Sequence, residues 1–264
     1  MLRFNYISID STSLQARRLW NHCHDSRPLL VVAETQTAGI GRLGRSWKSP
    51  HGGLWLSIAW PLLGEVAHYD GLPLAVGCSV AESVELIAAR RGGRLRCLLK
   101  WPNDVLVRER KLAGVLCQCD PDGPRPVVVV GIGINANFPA ATLGNGLRYP
   151  ATTLQDELGV PVDLAALLED LLIRLQATLS CYPSEGLTER LPAIRGRLAW
   201  VGRAVEVRVP GRSEACAGRL CDVDSRGHLL MDDGGGTRAL AAGELRCLEN
   251  AQPPAPVDRP VDSG

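Results

Sequence analysis

The stretch from Pro126 to Ile134, P-V-V-V-V-G-I-G-I, constrains the fold of this chain more than any other. It is β-branched almost throughout and reads as a strand. A strand running into G-x-G is how a dinucleotide-binding βαβ unit begins. The third glycine of that fingerprint is missing, and N-A-N-F-P-A-A-T-L-G-N-G follows where a helix should start. The fingerprint fails its own context, which sets aside a doubly wound nucleotide fold. What remains is a strand that ends in a loop holding Asn135 and Asn137 near a ligand.

Strand and helix patterns share the first 200 residues. Phe4 to Ile9 alternates as a short strand, and Ser or Thr at 11–13 caps a helix with Leu14, Leu19 and Trp20 near one face. Leu29 to Ala33 is a buried strand; Leu54 to Trp60 is another, apolar on both faces. Gly71 to Arg90 is a long helix stopped by the R-R-G-G-R that follows. Two strand pieces then flank Trp101-Pro102-Asn103-Asp104. Proline breaks a ladder there, and Asn-Asp favours a turn with exposed polar side chains. After a tight R-E-R turn, K-L-A-G-V-L-C-Q opens a further strand with Lys111 at its first position. This hairpin returns Lys111 to the neighbourhood of Lys100 and Asp104. Thr152 or Thr153 caps a short helix, and Asp163 to Cys181 is amphipathic, with Leu164, Leu167, Leu168, Leu171, Leu175 and Leu179 as its stripe. Ser184 to Ala199 continues the helical spacing.

At Val201 the pattern changes to short alternating strands separated by Pro210-Gly211, Ser225-Arg226-Gly227 and Asp233 to Gly236. Strand runs so spaced predict a small barrel of roughly 50 residues. The proline-rich tail after Glu249 predicts disorder. The expected division is therefore residues 1–199, 200–249 and 250–264.

Composition narrows the function. A net charge of +1 gives no general pull toward nucleic acid or membrane. No apolar run reaches the roughly 18 residues of a membrane span, and the N-terminus lacks a signal-peptide layout, so a cytoplasmic protein is expected. The nine cysteines form no C-x-x-C and do not pair with the histidines at ligand spacing; reduced thiols and no metal site are expected. All but three of the 29 basic residues are arginine. Lys48, Lys100 and Lys111 have survived that bias, each in or beside a Gly- or Pro-punctuated motif, where a compact ammonium does what a guanidinium does not.

Between Glu34 and Trp60 an apolar run enters a loop with Gly39, Gly41 and Gly44 interleaved with Arg42 and Arg45. Glycines that turn at φ > 0 would aim successive N–H groups at one point as an anion-binding nest, and two guanidiniums add forks for phosphate or carboxylate. The loop is expected to close over a negatively charged, nucleotide-like ligand; the plain alternative is a solvated Gly/Arg hairpin.

Taken in order, D-S-T-S (10–13), Q-T-A-G-I-G-R-L-G-R-S-W (36–47), K-W-P-N-D (100–104), K-L-A-G-V-L (111–116), G-I-G-I-N (131–135) and A-A-G-E-L-R (241–246) resemble the biotin protein ligases over residues about 3–250. The resemblance implies an α+β fold: a mixed β-sheet catalytic domain like the class II aminoacyl-tRNA synthetase cores, then an SH3-like β-barrel. It implies two steps. Biotin's carboxylate attacks the α-phosphate of ATP, with Mg²⁺, to give biotinyl-5′-AMP and pyrophosphate. A lysine of a biotin carboxyl carrier domain then takes the biotinyl group and AMP leaves.

Carried over by resemblance, Lys111 bridges biotin carboxylate and α-phosphate, and Arg42 holds the adenylate phosphate. Ser11, Thr12, Ser13 and Gln36 match positions around biotin's ureido ring. Gly39, Ile40, Gly41, Gly114 and Gly133 line the same pocket. Arg45, Trp47, Lys100 and Asn135 fall on the ATP side, Trp47 by stacking. Asp104 orients or deprotonates the incoming lysine. Two departures stand out: Ile40 and Leu43 replace arginines of the family's G-R-G-R-R-G-R loop, and Ser13 replaces the usual asparagine. Weaker retention of the adenylate is expected from the first. The repressor members' N-terminal DNA-binding helices have no counterpart here, so DNA is not expected as a partner; a monomer or homodimer is. The alternatives are a lipoate-type acyl-protein ligase, which shares the adenylate logic, and a non-catalytic biotin-binding module, against which the joint presence of Arg42 and Lys111 speaks.

Overall fold

A computed structural model describes residues 1–22 and 27–248. The expected disordered tail lies outside these residues. A mixed sheet carries the first 135 residues. Its strands are β1 (Leu2–Ile9), β2 (Leu29–Gln36), β3 (Leu54–Pro61), β4 (Cys97–Lys100), β5 (Asp104–Val107), β6 (Arg110–Asp120) and β7 (Val127–Ile134), in the order β1-β2-β3-β7-β6-β5-β4. β1 and β2 run parallel, and the remaining pairs are antiparallel. The β-branched β7 lies at the centre, buried along its whole length.

Alternation along the strands sorts side chains to two faces. On one, helix α1 (Thr12–His22) packs Ala16 and Trp20 onto Leu29, Val31, Ala59, Val127 and Val129. On the other, Leu30, Leu56, Ile58, Val128, Val130 and Ile132 join the main core with α2 (Leu72–Arg90). Two further helices follow. α3 (Leu154–Leu158) is capped by Thr153, whose hydroxyl accepts from the Asp156 N–H. α4 (Leu164–Glu185) is capped by Asp163, which accepts from the N–H groups of Ala165 and Ala166. The predicted leucine stripe of α4 is buried from Leu167 to Leu179 and packs against α2. One helical stretch, residues 66–90, is long and apolar enough to cross a membrane; 72% of its apolar window is buried in this core.

The helix expected over residues 184–199 is broken. α4 ends at Glu185, capped by Gly186, and after a single 3-10 turn only α5 (Leu191–Arg195) follows. Gly186 (φ 57) and Gly196, with Pro192 opening α5, punctuate what spacing alone joined.

Beyond Trp200, β8 (Ala204–Arg208), β9 (Cys216–Val223), β10 (Leu229–Asp232), β11 (Thr237–Leu240) and β12 (Glu244–Cys247) form an antiparallel sheet in the order β11-β10-β9-β8-β12. Its interior residues Val205, Val207, Leu220 and Met231 belong to the same buried cluster as α2 and β7. Trp101 sits where the sheets meet: it is buried, and its indole donates to the Gly227 carbonyl at 2.9 Å. Gly227, at φ 84, has to be glycine, since a Cβ there would stand 2.6 Å from the Gly71 Cα. The β9–β10 turn is thus seated on the start of α2.

Candidate active site

A cavity of about 1000 Å³ opens on the α1 face of the first sheet and reaches β8 and β12 of the second. Its deep end is a hydroxyl network. Thr12 donates to Gln36 Oε1 from its backbone N–H (2.7 Å) and its hydroxyl (3.0 Å). The hydroxyls of Thr12 and Ser13 lie 2.8 and 2.9 Å from the Ser57 hydroxyl. Gln36 Nε2 donates to Ser49 Oγ at 2.7 Å. Gly131 keeps this end open, because a Cβ there would lie 2.6 Å from Ser13 Oγ. Such a cluster of donors and acceptors can read a small polar ring. Thr12, Ser13 and Gln36 line the cavity as expected. Ser11 does not; it is buried at the start of α1 and its hydroxyl accepts, at 3.5 Å, from the Leu14 N–H. Ser57 and Gly131 escaped sequence reasoning. A hydroxyl inside the otherwise apolar β3 was the available signal.

The middle of the cavity is cationic. β5 and β6 place Asp104 opposite Gly114 and, after a bulge, Leu106 opposite Lys111. Asp104 therefore sits between two ammoniums: Lys111 Nζ at 2.6 Å from Oδ1 and Lys100 Nζ at 3.4 Å from Oδ2. The hairpin prediction holds, with Lys111 second in β6 rather than first. The turn between the strands has Arg108 and Glu109 both at positive φ (48 and 58), as two-residue hairpin turns require. Burial lowers the Lys100 pKa, against the pull of Asp104. Gly114 and Gly133, neighbours in the β6–β7 register, form a bare floor under the Trp47 indole. A Cβ on Gly133 would lie 2.5 Å from Trp47 Nε1 and one on Gly114 would lie 3.1 Å from its ring. Lys111 Nζ stands 4.8 Å from the same ring.

The glycine loop is a hairpin arm, which corrects the nest reading. Trp47 N donates to Gly39 O at 2.8 Å and Gly41 N to Arg45 O at 2.7 Å. Leu43 (φ 58) and Gly44 (φ 70) turn its tip, whereas Gly41 is extended. Gly39 is needed for close approach, since a Cβ would stand 2.4 Å from the Trp47 carbonyl; it lies behind the cavity wall. Ile40, Gly41, Arg42 and Arg45 line the cavity, and Leu43 points away, 65% exposed. Arg42 donates to the Gly243 carbonyl from both terminal nitrogens (3.2 Å each) and to Asn103 Oδ1 (3.3 Å). Burial lowers its pKa while Asp104 and Glu244 oppose, yet a guanidinium stays charged. Arg45 forks onto Glu244 (2.8 and 2.9 Å), which also meets Arg148 at 2.7 Å. The A-A-G-E-L-R motif thus supplies the partners of the loop's arginines.

Asn135 is buried at the cavity edge. Its amide donates to the Thr152 carbonyl at 3.1 Å, and its Oδ1 has no partner. The Trp47 indole N–H is likewise unpaired. Buried polar atoms are rarely left so; the Trp47 nitrogen lies directly over the bare Gly133 floor. Asn137 departs from expectation: it exchanges hydrogen bonds with the Val162 backbone, both 2.8 Å, and pins the loop before α4. Lys48 donates to the Leu143 carbonyl at 2.5 Å and anchors the base of the arm. Among the described residues no three His, Cys, Asp or Glu side chains gather as a metal site.

Known proteins resemble this chain in sequence and fold. The Biotin/lipoate A/B protein ligase family model matches residues 6–135. The biotin–[acetyl-CoA-carboxylase] ligase of Mycobacterium tuberculosis is 34% identical over 221 residues, 82% of this chain and 78% of that protein. That of Paracoccus denitrificans is 30% identical over 258 residues, 89% and 96% of the two chains. Among solved structures, the biotin protein ligase from Aquifex aeolicus in complex with biotin and ATP superposes with a TM-score of 0.78 at 29% identity, covering 93% of this chain and 99% of that one.

Proposed function

Since the chain belongs to the biotin/lipoate A/B protein ligase family, and within it to the biotin protein ligases, we propose that this cavity is where biotin meets ATP. The protein is a biotin–[biotin carboxyl carrier protein] ligase. It joins biotin to ATP as biotinyl-5′-AMP, releasing pyrophosphate, and passes the biotinyl group to a carrier-domain lysine.

The observation that carries the residue assignment is the ammonium pair on Asp104, set between the hydroxyl network and the arginine arm. Thr12, Ser13 and Gln36 take the ureido ring, and the biotin carboxylate points to Lys111. The first step brings two anions together, so fixed cations are what the chemistry most needs. Lys111 sits between carboxylate and α-phosphate, Arg42 holds the phosphate, and Trp47 and Asn135 lie on the nucleotide side of the cavity, Trp47 offering its ring. Mg²⁺ enters with the ATP phosphates, as that ion keeps few protein ligands.

In the second step the neutral acceptor amine bonds to the biotinyl carbonyl carbon. The carbon–oxygen bond to phosphate breaks, AMP leaves with that electron pair, and the amine proton goes to Asp104 or water. Residues 1–199 act as the biotin- and ATP-binding domain, and residues 200–249 as an SH3-like barrel that braces the arginine arm. Biotin-dependent ATP–pyrophosphate exchange tests this reading. Lys111→Ala should lower exchange by about 10²–10³-fold, the effect of deleting one preorganised charge. Exchange with lipoate or octanoate in place of biotin would move the protein to the other branch of its family.

A further inference from the structure

Lys111 stands where β6 has run past its neighbour β7. The last pair between those strands sets Ala113 opposite Ile134. On the other side the β5–β6 register slips between the pair at Ala113 and the pair at Lys111. A bulge of this kind leaves the local ladder incomplete. A strap of residues 150–152 takes the place of β7. The Lys111 N–H donates to the Pro150 carbonyl at 2.7 Å, and the Lys111 carbonyl accepts from the Thr152 N–H at 2.9 Å. Where the ammonium stands therefore depends on how firmly the strap is tied to β6.

Glu157 ties it. The side chain of this α3 residue is 0% exposed, and its carboxylate meets three groups. Oε1 accepts from the Thr152 hydroxyl at 2.6 Å and from an Arg110 nitrogen at 2.7 Å; Oε2 lies 3.5 Å from an Arg108 nitrogen. Thr152 belongs to the strap, and Arg110 immediately precedes Lys111. One carboxylate oxygen thus clips strap to strand beside the lysine. The Asn135 amide donates to the Thr152 carbonyl at 3.1 Å and joins the end of β7 to the same knot. Stability does not account for the clip. Taking a carboxylate out of water is costly, and a well-packed apolar side chain often does as well in its place. Arg108 and Arg110 keep 49% and 41% of their side chains in solvent, so neither needs Glu157 for its solvation. What the contact supplies is fixed geometry at the bulge. An ammonium that must meet two anions at once loses about 10²-fold in rate when it is misplaced by about 1 Å.

We propose that Glu157 is a positioning residue for the first step: by clipping Thr152 to Arg110 it holds the Lys111 backbone, and with it the ammonium, in place for the reacting anions. This assignment rests on the biotin-ligase reading, with Lys111 as the cation between carboxylate and α-phosphate.

The test measures biotin-dependent ATP–pyrophosphate exchange for Glu157→Ala, for the conservative Glu157→Gln, and for Glu157→Ala joined to Lys111→Ala. Glu157→Ala should lower kcat about tenfold, with the KM for biotin and for ATP within about twofold of the parent. Glu157→Gln still accepts from the Thr152 hydroxyl and should lose less than about threefold. On the Lys111→Ala background, Glu157→Ala should take away no further activity, because its effect passes through the lysine. An unchanged kcat overturns the proposal. So does a KM that rises while kcat holds. So does a loss that recurs in full without Lys111, which would make Glu157 a general support of the fold. Should Glu157→Ala fail to fold, Thr152→Val opens the same clip, leaves Glu157 its two arginines, and is judged by the same split and the same cycle. Absence of exchange in the parent protein would instead remove the biotin-ligase reading itself, and this proposal with it.

Discussion

Single residues carried the most legible part of the site. The scarcity of lysine marked Lys48, Lys100 and Lys111, and two of the three do hold Asp104 between them. The third, Lys48, anchors a loop through a backbone carbonyl, a use that residue type alone could not foretell. Gly114 and Gly133 were legible as pocket residues, but the reason was not, because no pattern along the chain says that an indole lies over them. Geometry separates the two. A Cβ at position 133 would lie 2.5–2.9 Å from Trp47 atoms, and one at 114 would lie 3.1–3.3 Å from its nearest neighbours. Gly133→Ala should destabilise the protein by about 1–3 kcal/mol, the usual cost of overpacking, and change Trp47 fluorescence. Gly114→Ala should cost less than half as much. Urea unfolding of both variants checks the ranking.

Elements were legible where periodicity and turn chemistry agreed. Pro102-Asn103-Asp104 and the R-E-R turn marked the β4–β5–β6 hairpins, and Asp163 marked the start of α4. The glycine arm was legible both as a site and as a Gly/Arg hairpin, but not as the two at once, because its ladder depends on contacts between Gln36, Gly39, Gly41 and their partners at 45–49. Residues Ile40 and Leu43 now separate. Ile40 lines the cavity, and Leu43 turns the tip with its side chain in solvent. Leu43→Asn suits the left-handed backbone and should stabilise the protein by up to about 1 kcal/mol, seen as a higher Tm, with adenylate release unchanged. Ile40→Arg places a cation in the cavity and should slow release of biotinyl-AMP several-fold in a filter-retention assay. Unchanged release would separate this position from adenylate retention.

At the scale of the molecule, the change of pattern at Val201 was legible, and the seam between the sheets was not. Trp101 on Gly227, and Arg42 and Arg45 on Gly243 and Glu244, join residues 126, 201 and 199 positions apart. Burial alone would raise the Glu244 pKa, but Arg45 and Arg148 outweigh it and hold the carboxyl below its ordinary value. Stability from a carboxylate so held is present above the unfolded value, near pH 4.3, and is lost as pH falls through the folded one. The heat-unfolding midpoint of the parent should therefore fall more steeply below about pH 4.3 than that of Glu244→Gln, a difference calorimetry can read. The same seam orders the making of the protein. Contacts so distant along the chain close the longest loops and form last. A ribosome that has delivered the first 200 residues has released both lysines, the glycine floor and the whole arm. Arg42 finds Asn103 among those residues, but its Gly243 contact and the Arg45 fork onto Glu244 wait until synthesis has passed Glu244.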